Sequence, residues 1–356
     1  MTDIEQFEEA REDGQPVHRL AVAGLLASVL ALCALCAVLP LEHPSLACGI
    51  LPLITAAAVA VVLGRLQDRH RHRAARACAV SDTVQRVLLR PLPRRIGALG
   101  LASVYRACGG RGQVGGDLYA VARTGGATRL IIGDVCGKGL PTFEDVAAVL
   151  GAFREWAPRA ASLSELSARL EESFLRHLAE ADDGARDKDE RFVTALLLEV
   201  PDGERLARMV NHGHPPPVRA RRGSAVLVPG CPSPPLGLHG LRDLGAIEES
   251  FELAAGDTLL LYTDGLIEAR DGAGQCYPLL ERATAWSWIR QGAASRVCLP
   301  DALGEILEDL VAHAGALPED DLAMVALTRM EGPGSAVLPW QAGEAWREDT
   351  GQLRQD

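Results

Sequence analysis

The spacing of apolar residues changes character twice along the chain, near residues 64 and 92. Residues 20–39 are twenty consecutive uncharged positions, and residues 46–64 are nineteen more, separated by the linker PLEHPS. Each run is long enough to cross about 30 Å of hydrocarbon as a helix. They predict a transmembrane helical hairpin over 20–64, preceded by a disordered cytoplasmic tail over 1–19. A secretory signal peptide would need a positive segment before the first run, but the residues there are net negative and a second run follows at once. Ala77, Val80, Val84 and Val87 then recur at helical spacing. They predict a short helix inside a juxtamembrane segment, 65–92, able to pack on a second copy or on the following domain. Pro91 and Pro93 end it, because proline lacks the amide donor and crowds the preceding turn.

From residue 93 the rhythm alternates between strand and helix. Leu99–Ala107 reads as a first strand, and 118–123 and 128–133 read as two more, joined by Gly125-Gly126. Phe143, Val146, Ala147, Leu150 and Phe153 make one helical face; Leu163, Leu166, Leu170, Phe174 and Leu178 make another. A charged mobile loop is expected over 179–190, a strand over 192–200, and a bend at the prolines of NHGHPPPV. A further strand closes at Thr263, helices follow over 277–289 and 301–314, and LAMVALT forms the last strand. Strands at both ends with helices between them predict an α+β sandwich over 93–330, with a disordered tail over 331–356.

A Gly-Gly pair between two strands predicts a type I′ hairpin, whose central residues need positive φ. With those glycines as the whole loop, Thr124 faces Ala127 and Asp117 falls opposite Asp134. Opposed side chains lie roughly 5 Å apart, and two carboxylates at that distance repel by about 3 kcal/mol at an effective dielectric near 20. Either a cation sits between them, or a bulge slips the register and both are solvated turn residues.

Composition narrows the field. The net charge of −11 over 356 residues argues against a general nucleic-acid binder and suits a site that holds cations. The nine cysteines are scattered; Cys33 and Cys36 form the one CxxC, inside an apolar run where a zinc site has no support. Arg65, Arg69, Arg71, Arg73 and Arg76 crowd the end of the second apolar run, while the linker has no Lys or Arg. By the positive-inside rule both termini and the long segment after residue 64 face the cytoplasm, only the short linker lies outside, and the arginines face anionic lipid.

Asp117, Asp134, Asp264, Asp320 and Asp321 all stand at a strand end or just before a strand. Carboxylates on rigid strands suit hard dications, and two such ions could activate a water and clamp a phosphoryl group. GDVCGK resembles a phosphate loop only superficially: its glycine spacing is one residue short, and Asp134 would repel phosphate. Lys138 is a candidate contact to a substrate phosphate or a solvated lysine. His212 and His214 have zinc-compatible spacing without further ligands nearby in sequence, so a structural bend explains them better. Ser233 and Thr263 have no base at hand for nucleophilic catalysis.

GGDLY, GDVCGKG, FVTALLLEV, NHGHPPPV, PLGL, GDTLLLYTDGLIEAR and DDLAMVALTR occur in the order of PPM-type (protein phosphatase 2C-like) serine/threonine phosphatases. The chain from Val84 to Arg329 resembles their bacterial branch, typified by stage II sporulation protein E and stress-response sigma-factor regulators. The resemblance implies a β-sandwich flanked by helices that holds two Mn²⁺ or Mg²⁺ ions. Its ligands map onto Asp117, Asp134, Asp264 and Asp320, with the Val135 carbonyl, and Asp321 stands beside them. It implies hydrolysis of phosphoserine or phosphothreonine, on an anti-anti-sigma (STAS-type) protein, by direct attack of a metal-bound water. Asp134 and Asp264 would be the residues whose loss is most damaging. The alternative is an idle membrane scaffold that binds such a protein without turnover. Four positions depart from the family pattern: Ala120 where an acid is common, His212 where alanine is usual, and Pro141 and Thr142 after GKG.

Overall fold

A computed structural model describes residues 88–106, 115–137, 140–180, 191–221, 223–238, 245–286, 289, 298–316 and 320–330. The expected membrane hairpin, the 77–88 helix up to residue 87, both tails, the loop over 181–190 and Lys138 lie outside the described residues. Among the described residues no helix is long and apolar enough to cross a membrane.

Among the described residues, eleven strands form two antiparallel sheets. The first contains β1 (Arg95–Ile96), β2 (Leu99–Arg106), β7 (Val218–Arg221), β8 (Ser224–Leu227), β10 (Thr258–Tyr262) and β11 (Leu322–Arg329), in the order β1-β2-β11-β10-β7-β8. The second contains β3 (Asp117–Arg123), β4 (Ala127–Val135), β5 (Val193–Pro201), β6 (Leu206–His212) and β9 (Glu248–Glu252), in that order. Helices α1 (Leu140–Trp156) and α2 (Leu163–Glu180) pack on the second sheet. The short α3 (Asp264–Ile267) and α4 (Leu279–Ala283) precede α5 (Leu299–Ala314), which covers β2 and β11 of the first sheet.

Both faces of β10 and β11 in the first sheet are buried, which is why these strands read as near-continuous apolar runs. In β10, Leu259 and Leu261 face the core between the sheets, while Leu260 and Tyr262 face α4 and α5. In β11, Ala323, Val325 and Leu327 point inward; Leu322, Met324 and Ala326 point to the helices. The inner core continues through the second sheet to Val146, Leu150 and Phe153 of α1 and Leu166, Leu170 and Phe174 of α2. The expected α+β sandwich is therefore a helix–sheet–sheet–helix stack.

The hairpin register is as counted, with Asp117 opposite Asp134 and Arg123 opposite Thr128. The turn differs from type I′, because neither Gly125 nor Gly126 has a positive φ. Thr124 holds it instead: its hydroxyl accepts the amides of Gly126 at 3.3 Å and Ala127 at 2.9 Å, a side-chain turn that needs no left-handed residue. The helix expected from Tyr277 begins at Leu279, after Pro278. That expected from Asp301 begins two residues earlier at Leu299, since Pro300 fits a first turn. Gly315, at φ 76°, ends it in the left-handed conformation.

Candidate metal centre

The carboxylates converge because four strand ends meet at one edge of the sandwich. β3 starts at Asp117, and β4 ends with Asp134 and Val135. Antiparallel pairing of β10 with β11 sets Tyr262 opposite Met324, so Asp264 just past β10 lies beside Asp320 and Asp321 just before β11. Thr263 joins the two sheets there. The Thr263 hydroxyl donates to Asp117 Oδ2 at 2.8 Å and accepts the Ala323 amide at 2.9 Å. Thr263 is fully buried and so committed to orienting Asp117. Sequence reasoning weighed it only as a nucleophile; its position one residue before Asp264, at the end of a buried strand, was the available signal.

Three glycines let the acids approach. A Cβ on Gly116 would collide with Asp134 Oδ1 and the Val135 carbonyl, which therefore flank one spot. On Gly115 it would collide with the Asp321 carboxylate, and on Gly265 with the Asp321 carbonyl. The GGD and DG pairs are thus steric requirements of the cluster.

Charge crowding shows in the titration of the acids. Burial pushes the Asp117 carboxyl well above the usual range; Asp134 pushes further, the Thr263 hydrogen bond opposes, and Asp321 and Asp264 add to the rise. Asp134 is raised to about 7 by burial first, then by Asp264, Asp320 and Asp321, with the Val135 amide opposing. Asp264 is raised by burial, by Glu268 one turn along α3, and by Asp320. Glu268 is a member of this acidic field that the sequence reading passed over. Asp321 is buried and Asp320 exposed, its Oδ1 accepting the Asp321 amide at 3.1 Å.

Among the described residues no three His, Cys, Asp or Glu side chains close into a ready cage for an ion. The donor chemistry nonetheless fits hard dications: carboxylate and carbonyl oxygens only, on rigid strand ends, carrying more negative charge than the site can leave uncompensated. A zinc site at the histidines has no such fit. His212 Nε2 meets Ser167 Oγ at 2.8 Å, and its Nδ1 meets the Pro234 carbonyl at 2.7 Å. His214 is buried, which drives its pKa down to about 3, and its backbone is held by the Asn211 side chain. Both are structural, and His212 takes the place of the usual alanine by pinning α2 to the loop before Leu236. Ser233 accepts the Ile247 amide at 3.0 Å and touches no acid of the cluster.

Two face-to-face antiparallel sheets, helices on both outer faces and aspartates gathered at one sheet edge define a PP2C-type phosphatase domain. The family model for Stage II sporulation protein E (SpoIIE) matches residues 124–330, and the chain belongs to that family. Among solved structures it is similar to the RsbU and RsbW domains of a Mycobacterium tuberculosis protein, at 23% identity and TM-score 0.53, over 67% of this chain and 61% of that one. It is similar to the PP2C domain and regulatory fragment of SpoIIE from Bacillus subtilis, at 16% identity and TM-score 0.53, over 66% of this chain and 62% of that one. The SiaA-PP2C domain of Pseudomonas aeruginosa matches at 17% identity and TM-score 0.54, over 75% of this chain and 99% of that one. The chain spans about three fifths of the first two structures. No curated protein matches it.

Proposed function

We propose that the chain is a membrane-anchored, divalent-cation-dependent protein serine/threonine phosphatase. The observation that carries this reading is the opposition of Asp117 and Asp134 at the edge where Asp264, Asp320 and Asp321 also end, in a chain of PP2C-type fold. Asp117, Asp134, Asp264, Asp320 and Asp321, with the Val135 carbonyl, would hold two Mn²⁺ or Mg²⁺ ions. Bound there, such ions would supply positive charge to a phosphoryl group and lower the pKa of a water so that it can give up a proton and attack phosphorus.

The chain's own residues do the rest. Thr263 fixes the Asp117 carboxylate, and the glycines at 115, 116 and 265 admit the acids without side-chain obstruction. Because the Thr263 hydroxyl is buried and engaged at both ends, it cannot act as a nucleophile, which favours direct hydrolysis over a phosphoenzyme. Lys138, just past Gly137, would steady the substrate phosphate. Family membership supports a protein substrate, and the resemblance of the motifs points to the phosphorylated form of a STAS-type anti-anti-sigma protein. The uncharged runs at 20–39 and 46–64 would anchor the chain in the cell membrane with both termini and the phosphatase domain cytoplasmic, and the 77–88 helix would pair two copies. Nothing in the charge pattern calls for nucleic acid.

Phosphate release from a phosphorylated STAS-type protein and from a small aryl phosphate tests this directly. Turnover with Mn²⁺ that stops in chelator supports it. Stable binding of the phosphoprotein with no turnover at any cation concentration would leave the scaffold reading instead.

A further inference from the structure

Among the described residues, one surface of the domain carries arginines that no carboxylate pairs with. Arg90, Arg94 and Arg95 are exposed where the chain enters the first sheet. Arg154 of α1 lies near Arg90, donating to the Leu88 carbonyl. Burial lowers its pKa, and the neighbouring Arg90 lowers it further, a sign of like charges held together. Among the described residues no carboxylate forms an ion pair with these four, and Asp202, which lies beside Gly97, is engaged by Arg123 at 2.6 Å. The contrast with a chain of net charge −11 is sharp, and it extends through sequence. From Arg65 to Arg95 there are nine arginines against two aspartates, in a stretch that follows directly on the second uncharged run.

The placement of this patch relative to the acidic site is set by β2. Leu99 at its start pairs with Arg329, while Arg106 at its end pairs with Leu322, next to Asp321. Arg95 pairs with Gly100, at the starting end. Eight residues of strand at about 3.3 Å each separate the two ends by roughly 25 Å. Basic patch and carboxylate cluster therefore occupy opposite ends of the same sheet.

We propose that Arg90, Arg94 and Arg95 form a docking surface for anionic lipid headgroups, so that the domain rests on the bilayer with its carboxylate site turned to the cytoplasm. This rests on the membrane-anchored reading. The charge logic is complementary at both ends. Arginines near a negatively charged leaflet each gain about 1 kcal/mol, while a cluster of aspartates is repelled from it. A soluble phosphoprotein then reaches the site without crossing the headgroup layer.

The test uses the full chain in nanodiscs of phosphatidylcholine alone or mixed with phosphatidylglycerol, followed by hydrogen exchange. Peptides covering 88–96 should exchange several-fold more slowly with phosphatidylglycerol. The protection should vanish near 0.5 M salt, where the Debye length is only about 4 Å. It should be absent in Arg90→Gln/Arg94→Gln/Arg95→Gln, whose melting midpoint and aryl-phosphate turnover should match wild type because all three side chains are exposed. Equal exchange in the two lipids overturns the proposal. So does equal protection by inorganic phosphate in phosphatidylcholine discs, which would mark a free-anion site, or protection that depends on protein concentration, which would mark a second copy. A chain that washes out of the discs in carbonate contradicts anchoring instead. Vesicle flotation then judges docking separately: the triple variant should bind phosphatidylglycerol vesicles roughly a hundredfold more weakly, at about fivefold per arginine, and equal binding refutes it.

Discussion

Asp117 and Asp134 carry the tension of the site, and the consequences can be measured on single residues. With both ionised at roughly 5 Å, the cation-free protein bears a repulsion of at most about 3 kcal/mol. Asp117→Asn keeps the shape and removes one charge, so at alkaline pH, where both acids ionise, it should melt several degrees higher than wild type without cations, since about 1 kcal/mol shifts a domain of this size by about 2–4 °C. Mn²⁺ should then raise the wild-type midpoint far more than the variant's, and activity should fall despite the gain. An unchanged or lower cation-free midpoint would mean that the repulsion is relieved in some other way. The sign of the pH dependence follows from the same group. Asp134 is raised from an ordinary carboxylate value to about 7 in the folded protein. A raised folded-state pKa gives stability that is present below the unfolded value and lost as pH rises through the folded one. Cation-free protein should therefore lose stability between about pH 4 and 7, and saturating Mn²⁺ should flatten or reverse that slope; a cation-free midpoint that rises over the window would contradict it. Thr263→Val tests the bridge between the sheets. It strips hydrogen bonds from buried Asp117 and the Ala323 amide, at about 1–3 kcal/mol for groups left unsatisfied, whereas Thr263→Ser should keep both stability and turnover.

At the scale of elements, what the sequence made legible depended on burial. The β3–β4 hairpin could be counted because both strands are regular and the loop has two residues, and the register came out as Asp117 opposite Asp134. The turn type did not follow from Gly-Gly, since Thr124 supplies the hydrogen bonds that a left-handed pair would otherwise arrange. Strands β5, β10 and β11 were readable as apolar runs because both faces are covered. The edge strands β8 and β9, SAVL and EESFE, are short and largely exposed, so no apolar run or clean alternation marked them. The convergence of Asp264 and Asp321 on the hairpin acids was likewise invisible in spacing alone, because it depends on one sheet packing over the other. Two glycine variants separate the roles within one motif region. Gly125→Ala should leave the melting midpoint and activity almost unchanged, since φ is not positive there and a Cβ meets nothing within 4 Å. Gly116→Ala should cut Mn²⁺-dependent turnover at least tenfold, because its Cβ needs the place of Asp134 Oδ1 and the Val135 carbonyl. Normal turnover in Gly116→Ala would show that those oxygens need not flank that spot.

The whole molecule is organised by charge as much as by packing. An acidic edge and a basic entry surface lie at opposite ends of one sheet, and the basic end continues in sequence into the arginine-rich stretch beyond residue 64. The orientation this implies can be read in intact cells from single-cysteine variants at Ser45 or Ser81 in a cysteine-free background. An impermeant thiol reagent should label the Ser45 variant alone; labelling at Ser81 would reverse the topology. The central claim, that the gathered aspartates form a cation-dependent phosphatase site, is tested most directly by titrating Mn²⁺ into the full chain while following calorimetric binding and aryl-phosphate release together. Wild type should show binding and turnover rising in parallel, with both nearly abolished in Asp134→Ala and in Asp264→Ala. Turnover that persists in excess chelator, or in either variant, would contradict the account.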